Sequence, residues 1–116
     1  MKRKRAARAE IYQSLTMKKE DEPEKILKEK SMSVKIPPSE LVVGDGNATI
    51  SKGRTIKLAI PDSYGTSISS HCSVTLTCNQ DDKTILKTAR LCNRIRDKLL
   101  EEDRADMVKF VEEMAQ

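Results

Sequence analysis

The sequence predicts an α+β fold, a mostly antiparallel sheet of four or five strands covered on one face by a C-terminal helix. Three observations predict it. Between residues 31 and 78 apolar residues recur with a period of two, the spacing of strands that bury one face. Beyond Cys78 the period changes to 3.6 and one apolar stripe appears. A sheet with a single apolar face needs a cover, and that stripe supplies it.

Residues 1–30 read as a basic and charged N-terminal segment, partly helical or flexible, ahead of a single α+β domain over residues 31–116. Ala7, Ile11 and Leu15 recur every four residues, which predicts a short amphipathic helix within 6–17. Over residues 18–30, Lys18, Lys19, Lys25, Lys28 and Lys30 cancel Glu20, Asp21, Glu22, Glu24 and Glu29 around Pro23. Too few apolar groups stand there to offset chain entropy, so the stretch reads as a linker or frayed helix. The folded unit is then expected to start near Ser31.

Met32, Val34 and Ile36 alternate with polar residues and form a short strand stopped by Pro37-Pro38. Leu41-Val42-Val43 runs into Gly44-Asp45-Gly46-Asn47 and a second extended stretch to Ser51, a small hairpin over 41–51 with a bend at Gly53. Ile56, Leu58 and Ile60 alternate up to Pro61. The clearest strand is 68–78. Ile68, Ser70, Cys72, Val74, Leu76 and Cys78 share one face, and Ser69, His71, Ser73, Thr75 and Thr77 share the other. With Pro61-Asp62-Ser63-Tyr64-Gly65 as its turn, 54–78 makes a longer hairpin. Asn79, Asp81 and Asp82 signal a helix start, and Ile85, Ala89, Cys92, Ile95 and Leu99 line up as the packing stripe of a helix over 82–100. Asp103 reads as a cap or kink before a short acidic helix carrying Met107, Val111 and Met114, with continuation as one long helix the alternative.

Composition narrows the function. The chain has 116 residues, 37% of them hydrophobic and 34% charged, so its core is modest and its surface highly ionic. Tyr12, Tyr64 and Phe110 are its only aromatic side chains, which argues against a platform for stacking bases. No apolar run exceeds three residues, so no membrane span is expected. The basic start lacks a following apolar stretch and does not read as a secretory signal. With three cysteines, an odd number, this points to a reducing cytoplasm.

Charge is unevenly distributed. Lys2, Arg3, Lys4, Arg5 and Arg8 stand at the start without an acid, whereas residues 97–116 hold seven acids against three cations. On a helical wheel Lys83, Lys87, Arg90, Arg94 and Lys98 fall within about 80° of one another, opposite the packing stripe. Cations in that pattern, with the N-terminal cluster, suit phosphate contacts that carry no base specificity.

Other constellations lead elsewhere. His71, Cys72, Cys78 and Cys92 do not read as a metal site: there is no C-x-x-C pair, and His71 points away from the two strand cysteines. The cysteines fall on core-facing positions, where a thiol acts as a small hydrophobe. His71 lacks a recognisable acid or oxyanion partner and reads as a surface residue of the hydroxylic face. Asp81-Asp82 are explained as helix-start acids, and Gly44-Asp45-Gly46-Asn47 lacks the downstream Glu of a calcium loop. No catalytic residue, cofactor or metal is expected.

The stretch RTIKLAIPDSYGTSISSHCSVTLTC (residues 54–78), followed by a polar helix, resembles a group of small phage and mobile-element proteins. They carry an R-x-I-x-L strand, a turn with Y-x-S, and a V-x-L-x-C strand leading into a helix. Arg54, Ile56, Leu58, Tyr64, Val74, Leu76 and Cys78 stand in corresponding places, with Thr66 where that pattern has Ser. The resemblance spans roughly residues 54–100 and implies an accessory protein of a phage or plasmid-like element; it brings no active site.

The expectation is therefore a non-enzymatic accessory protein. It contacts nucleic acid, or a nucleic-acid-bound protein complex, without sequence specificity. The alternative is an interaction or inhibitor module that forms homo-oligomers or docks through its sheet, whose Ser69, Ser73, Thr75 and Thr77 present a β-prone surface with little repelling charge.

Overall fold

A computed structural model of the chain describes residues 7–37, 48–61 and 65–114. Its elements run β1 (Arg8–Lys18), β2 (Lys25–Lys35), β3 (Ala48–Ala59), β4 (Ser67–Cys78) and α1 (Asp82–Met114). The strands form one antiparallel sheet in the order β2-β1-β4-β3, and α1 follows the last strand. The 33-residue helix, about 50 Å long at 1.5 Å per residue, sets the long dimension of a molecule measuring 62 × 24 × 21 Å.

β4 carries the strictest alternation, and it lies inside the sheet. Ile68, Ser70, Cys72, Val74, Leu76 and Cys78 are buried, while His71, Ser73, Thr75 and Thr77 on the other face are half-buried. β1 flanks it with Ile11 opposite Val74, and β3 flanks it with Ile50 opposite Leu76. The expected hairpin over 54–78 is the β3–β4 pair. The earlier hairpin over 41–51 lies partly outside the described residues. Its second arm and the strand expected from residue 54 are one continuous element, β3. Gly53 sits within that strand and makes no break.

The N-terminal expectation is corrected. Residues 8–18 are a strand, not a helix, and residues 25–30 belong to β2, not to a linker. Ser31, where the folded unit was expected to begin, lies in the middle of β2. The physical reason is arithmetic: an interval of four satisfies a period of two as well as a helical turn. Ala9, Ile11, Gln13, Leu15 and Met17 fill the inward face of β1, against Ile68, Ser70, Cys72 and Val74 of β4. β2 is the edge strand, exposed along its length except at Met32, so it forms without the apolar content that a buried strand needs. A register shift between Leu15 and Thr16 marks a bulge, with Lys28 opposite Leu15 and Ile26 opposite Thr16.

The turns at one end of the sheet touch. Gly65 has φ of 73°, and a Cβ there would stand 2.7 Å from the Cβ of Glu20 in the β1–β2 turn. That turn closes with the Glu22 amide donating to the Lys19 carbonyl at 3.2 Å and the Lys18 ammonium donating to the Glu22 carbonyl. Asp21 supplies the left-handed residue, with φ of 60°.

The helix expected over 82–100 continues to Met114, and no separate acidic helix follows. α1 runs back along β4 and β3. The Cys92 thiol lies 3.9 Å from the Ile50 carbonyl, and eleven residues later the Asp103 carboxylate accepts from Ser70 at 3.0 Å. The same oxygen accepts from Gln13 Nε2 at 3.1 Å. Asp103, the expected break, instead points inward and ties the helix to two strands. The core gathers Ala9, Ile11, Cys72, Val74 and Leu76 under Leu91, Cys92 and Leu100. Ala7 and Ile36 close its end, the Ile36 amide donating to the Ala7 carbonyl at 2.7 Å.

Of the expected stripe only Cys92 is fully buried; Ile85, Ala89, Ile95 and Leu99 are half-buried at its margins. The buried positions Thr88, Leu91 and Cys92 give way to Leu100 and Met107, a drift of about 100° around the helix. A straight helix crossing a twisted sheet must shift its contact face in this way.

Asp103→Ala leaves the buried Ser70 hydroxyl and Gln13 without their acceptor. It is expected to lower unfolding free energy by about 1–3 kcal/mol in urea titrations, with Asp103→Asn costing less.

Candidate nucleic-acid interface

The outward face of α1 follows from the inward one. With Thr88, Leu91 and Cys92 against the sheet, Lys83, Lys87, Arg90, Arg94 and Lys98 all stand exposed on the far side. They occupy about 22 Å of helix axis at 1.5 Å per residue. Between residues 83 and 96 the helix holds five cations and no acid. The first acid met is Asp97, whose Oδ1 accepts from Arg96 Nη2 at 2.8 Å and lies 3.8 Å from Arg54 of β3. Lys98 therefore follows Asp97 and Lys83 follows Asp82, while the sequence between them from 84 to 96 carries no acid.

The helix start is fastened by Asp81. Its carboxylate accepts from the Thr84 amide at 2.9 Å, and its carbonyl accepts from the Ile85 amide at the same distance. These bonds to Thr84, aided by the Lys83 charge, hold the Asp81 carboxyl below the usual carboxylate range.

The N-terminal cations divide. Lys2, Arg3, Lys4 and Arg5 lie outside the described residues. Ala7, the first described residue, is buried in the core cluster. Arg8 does not join the helical row. It lies on the uncovered face of β1, where its Nε donates to Ser33 Oγ at 3.0 Å and Ser33 donates to Glu10 at 2.9 Å. The sheet separates it from α1.

Sequence reasoning missed Lys52 and Arg54. Both occupy positions of β3 opposite Val74 and Cys72, the inward side by register, where alternation calls for apolar residues. β3 is the edge strand on the other side of the sheet from β2, so Arg54 reaches solvent beside the helix and meets Asp97 there. The signal was the break in period two between Ile50 and Ile56.

The uncovered face of the sheet carries hydroxyls in cross-strand rows. Thr75 and Ser51 hydroxyls are 2.9 Å apart, and His71 Nδ1 is 2.8 Å from Thr55 Oγ1. Tyr12 lies beside His71, their ring centroids 6.4 Å apart. His71 is thus a half-buried member of a hydroxyl network. Cys72, Cys78 and Cys92 are buried free thiols, as their core-facing positions predicted. Burial, then the Asp103 charge, pushes the Cys72 thiol up to about 11, and burial does the same for Cys92, so both stay protonated at neutral pH. Among the described residues no group of three or more His, Cys, Asp or Glu side chains is placed to hold a metal ion, and no helix is long and apolar enough to cross a membrane.

Comparison of the chain with family models, with curated proteins and with solved structures finds no match.

Because the folded-state pKa of Asp81 lies below its unfolded value, the cap stabilises above about pH 4 and fades as pH falls through the depressed value. Asp81→Ala is expected to melt earlier than the parent at pH 7. Thermal scans should show that gap closing below about pH 4.

Proposed function

We propose that this chain is a small, non-enzymatic, cytoplasmic accessory protein that contacts nucleic acid, or a nucleic-acid-bound complex, without reading base sequence. The row Lys83, Lys87, Arg90, Arg94 and Lys98 provides the contacts, and Lys2, Arg3, Lys4 and Arg5 add to them. The observation that carries the reading is the exposure of that whole row on the face turned away from the sheet. A phosphate every 3.4 Å along one strand places about six phosphates beside a 22 Å row.

Helix electrostatics supports the same reading. The macrodipole favours acids at a helix N-terminus and cations at its C-terminus, by roughly 0.3–1 kcal/mol each. Past the Asp81 and Asp82 start, α1 does the reverse: cations fill residues 83–96, and Glu101, Glu102, Asp103, Asp106, Glu112 and Glu113 crowd the far end. An arrangement that works against the helix itself is explained by a partner that needs the cations gathered at one pole. Within this reading the chain serves a phage or plasmid-like element, as the resemblance of residues 54–100 implies.

A second reading rests on the uncovered sheet face. Ser69, Ser73, Thr75 and Thr77 are half-buried there, and among the described residues no helix lies over them, a surface suited to docking another protein or copy. Loss of a dimer on Thr75→Lys would favour it over the polyanion reading.

Fluorescence-anisotropy titrations of a labelled 30-mer, single- and double-stranded, against salt test the main reading. Binding should fall linearly in log–log form and be indifferent to base sequence. Lys83→Ala/Lys87→Ala/Arg90→Ala should reduce the slope by about two to three. No binding, a flat salt response, or an unchanged slope in the triple variant would reject it.

A further inference from the structure

α1 covers only half of the sheet. It packs along β4 and β3, and among the described residues none of its Cα atoms comes within 8 Å of a Cα in β1 or β2. The inward face of β1 and β2 therefore borders a groove of about 290 Å³ beside the C-terminal half of the helix. Leu15, Met32 and Leu99 line it with apolar surface, and Val34, 39% exposed on the same face as Met32, extends that lining along β2.

The two banks carry opposite charge. Lys28 and Lys30 of β2 form one; Glu102 and Asp106 of α1 form the other. All four are exposed, and among the described residues the banks are not joined by an ion pair within 4.0 Å.

We propose that this groove is the contact surface for a second copy of the chain. A two-fold axis running along the groove exchanges its banks, so each lysine bank meets the partner's acidic bank while the apolar linings pack together. Such a surface is complementary to itself, as an isologous interface must be. The contact also removes from solvent one side of an 11-residue edge strand that is exposed on both faces. This interface lies opposite the hydroxyl face and uses none of the cations in the helical row, so it stands or falls separately from the polyanion reading.

Sedimentation of the full-length chain with charge reversal tests it. The parent is expected to dimerise with affinity that weakens as salt rises. Lys28→Glu/Lys30→Glu and Glu102→Lys/Asp106→Lys should each weaken self-association at least about tenfold. An equimolar mixture of the two variants should restore the dimer, because one then has two acidic banks and the other two basic ones. A parent that stays monomeric at 100 μM (a concentration chosen for the test), a dimer untouched by both reversals, or a dimer abolished instead by Thr75→Lys would overturn the proposal. So would failure of the mixture to recover association while each variant keeps the parent's circular dichroism.

Discussion

The contact between the inward face of β4 and the buried side of α1 governs the rest of the structure. Among the described residues β4 is the only strand whose inward positions are all buried, and both of its edges are paired. Because α1 follows it directly, the chain reverses and lays the helix back over the strand it has just left. Leu91, Cys92 and Leu100 then meet Cys72, Val74 and Leu76 in one apolar cluster. Everything outward on α1 is outward because of this contact, including the row of cations.

Polar interactions set register where apolar ones cannot. Hydrophobic contact is non-directional and would tolerate a sliding helix. Asp103 removes that freedom by accepting from Gln13 on β1 and Ser70 on β4, two strands at once. Among the described residues no buried side-chain nitrogen or oxygen lacks a hydrogen-bond partner, so the inward-facing Gln13 and Ser70 carry no desolvation penalty of the unpaired kind. The same placement explains why the helix does not stop at Asp103.

Half-coverage of the sheet creates three surfaces of different chemistry. The back of α1 is cationic over its first turns, the bare sheet face is hydroxylic, and the groove beside β2 has a cationic and an acidic bank. A wider cover, from a second helix over β1 and β2, would have buried Met32 and Val34 and removed the groove. The charge order along α1 opposes its own dipole, so stability of the helix falls to the cap at Asp81 and to tertiary packing rather than to its charges.

Local pattern alone determined the amphipathic β4, the β3–β4 hairpin, the helix start at Asp81, the inward cysteines and the outward cation row. Each depends on residues within a few positions of one another, where a period of 2 or 3.6 acts directly. Tertiary structure decided what pattern left open. The spacing of Ala7, Ile11 and Leu15 fits strand and helix alike, and only pairing with β4 selects the strand. β2 is held by backbone bonds to β1 at the sheet edge, so its lysine-rich composition carries no hydrophobic signature. The inward seat of Asp103 in the unbroken helix is tied to Gln13, 90 residues away, and no local reading can weigh a partner that folding alone brings within reach.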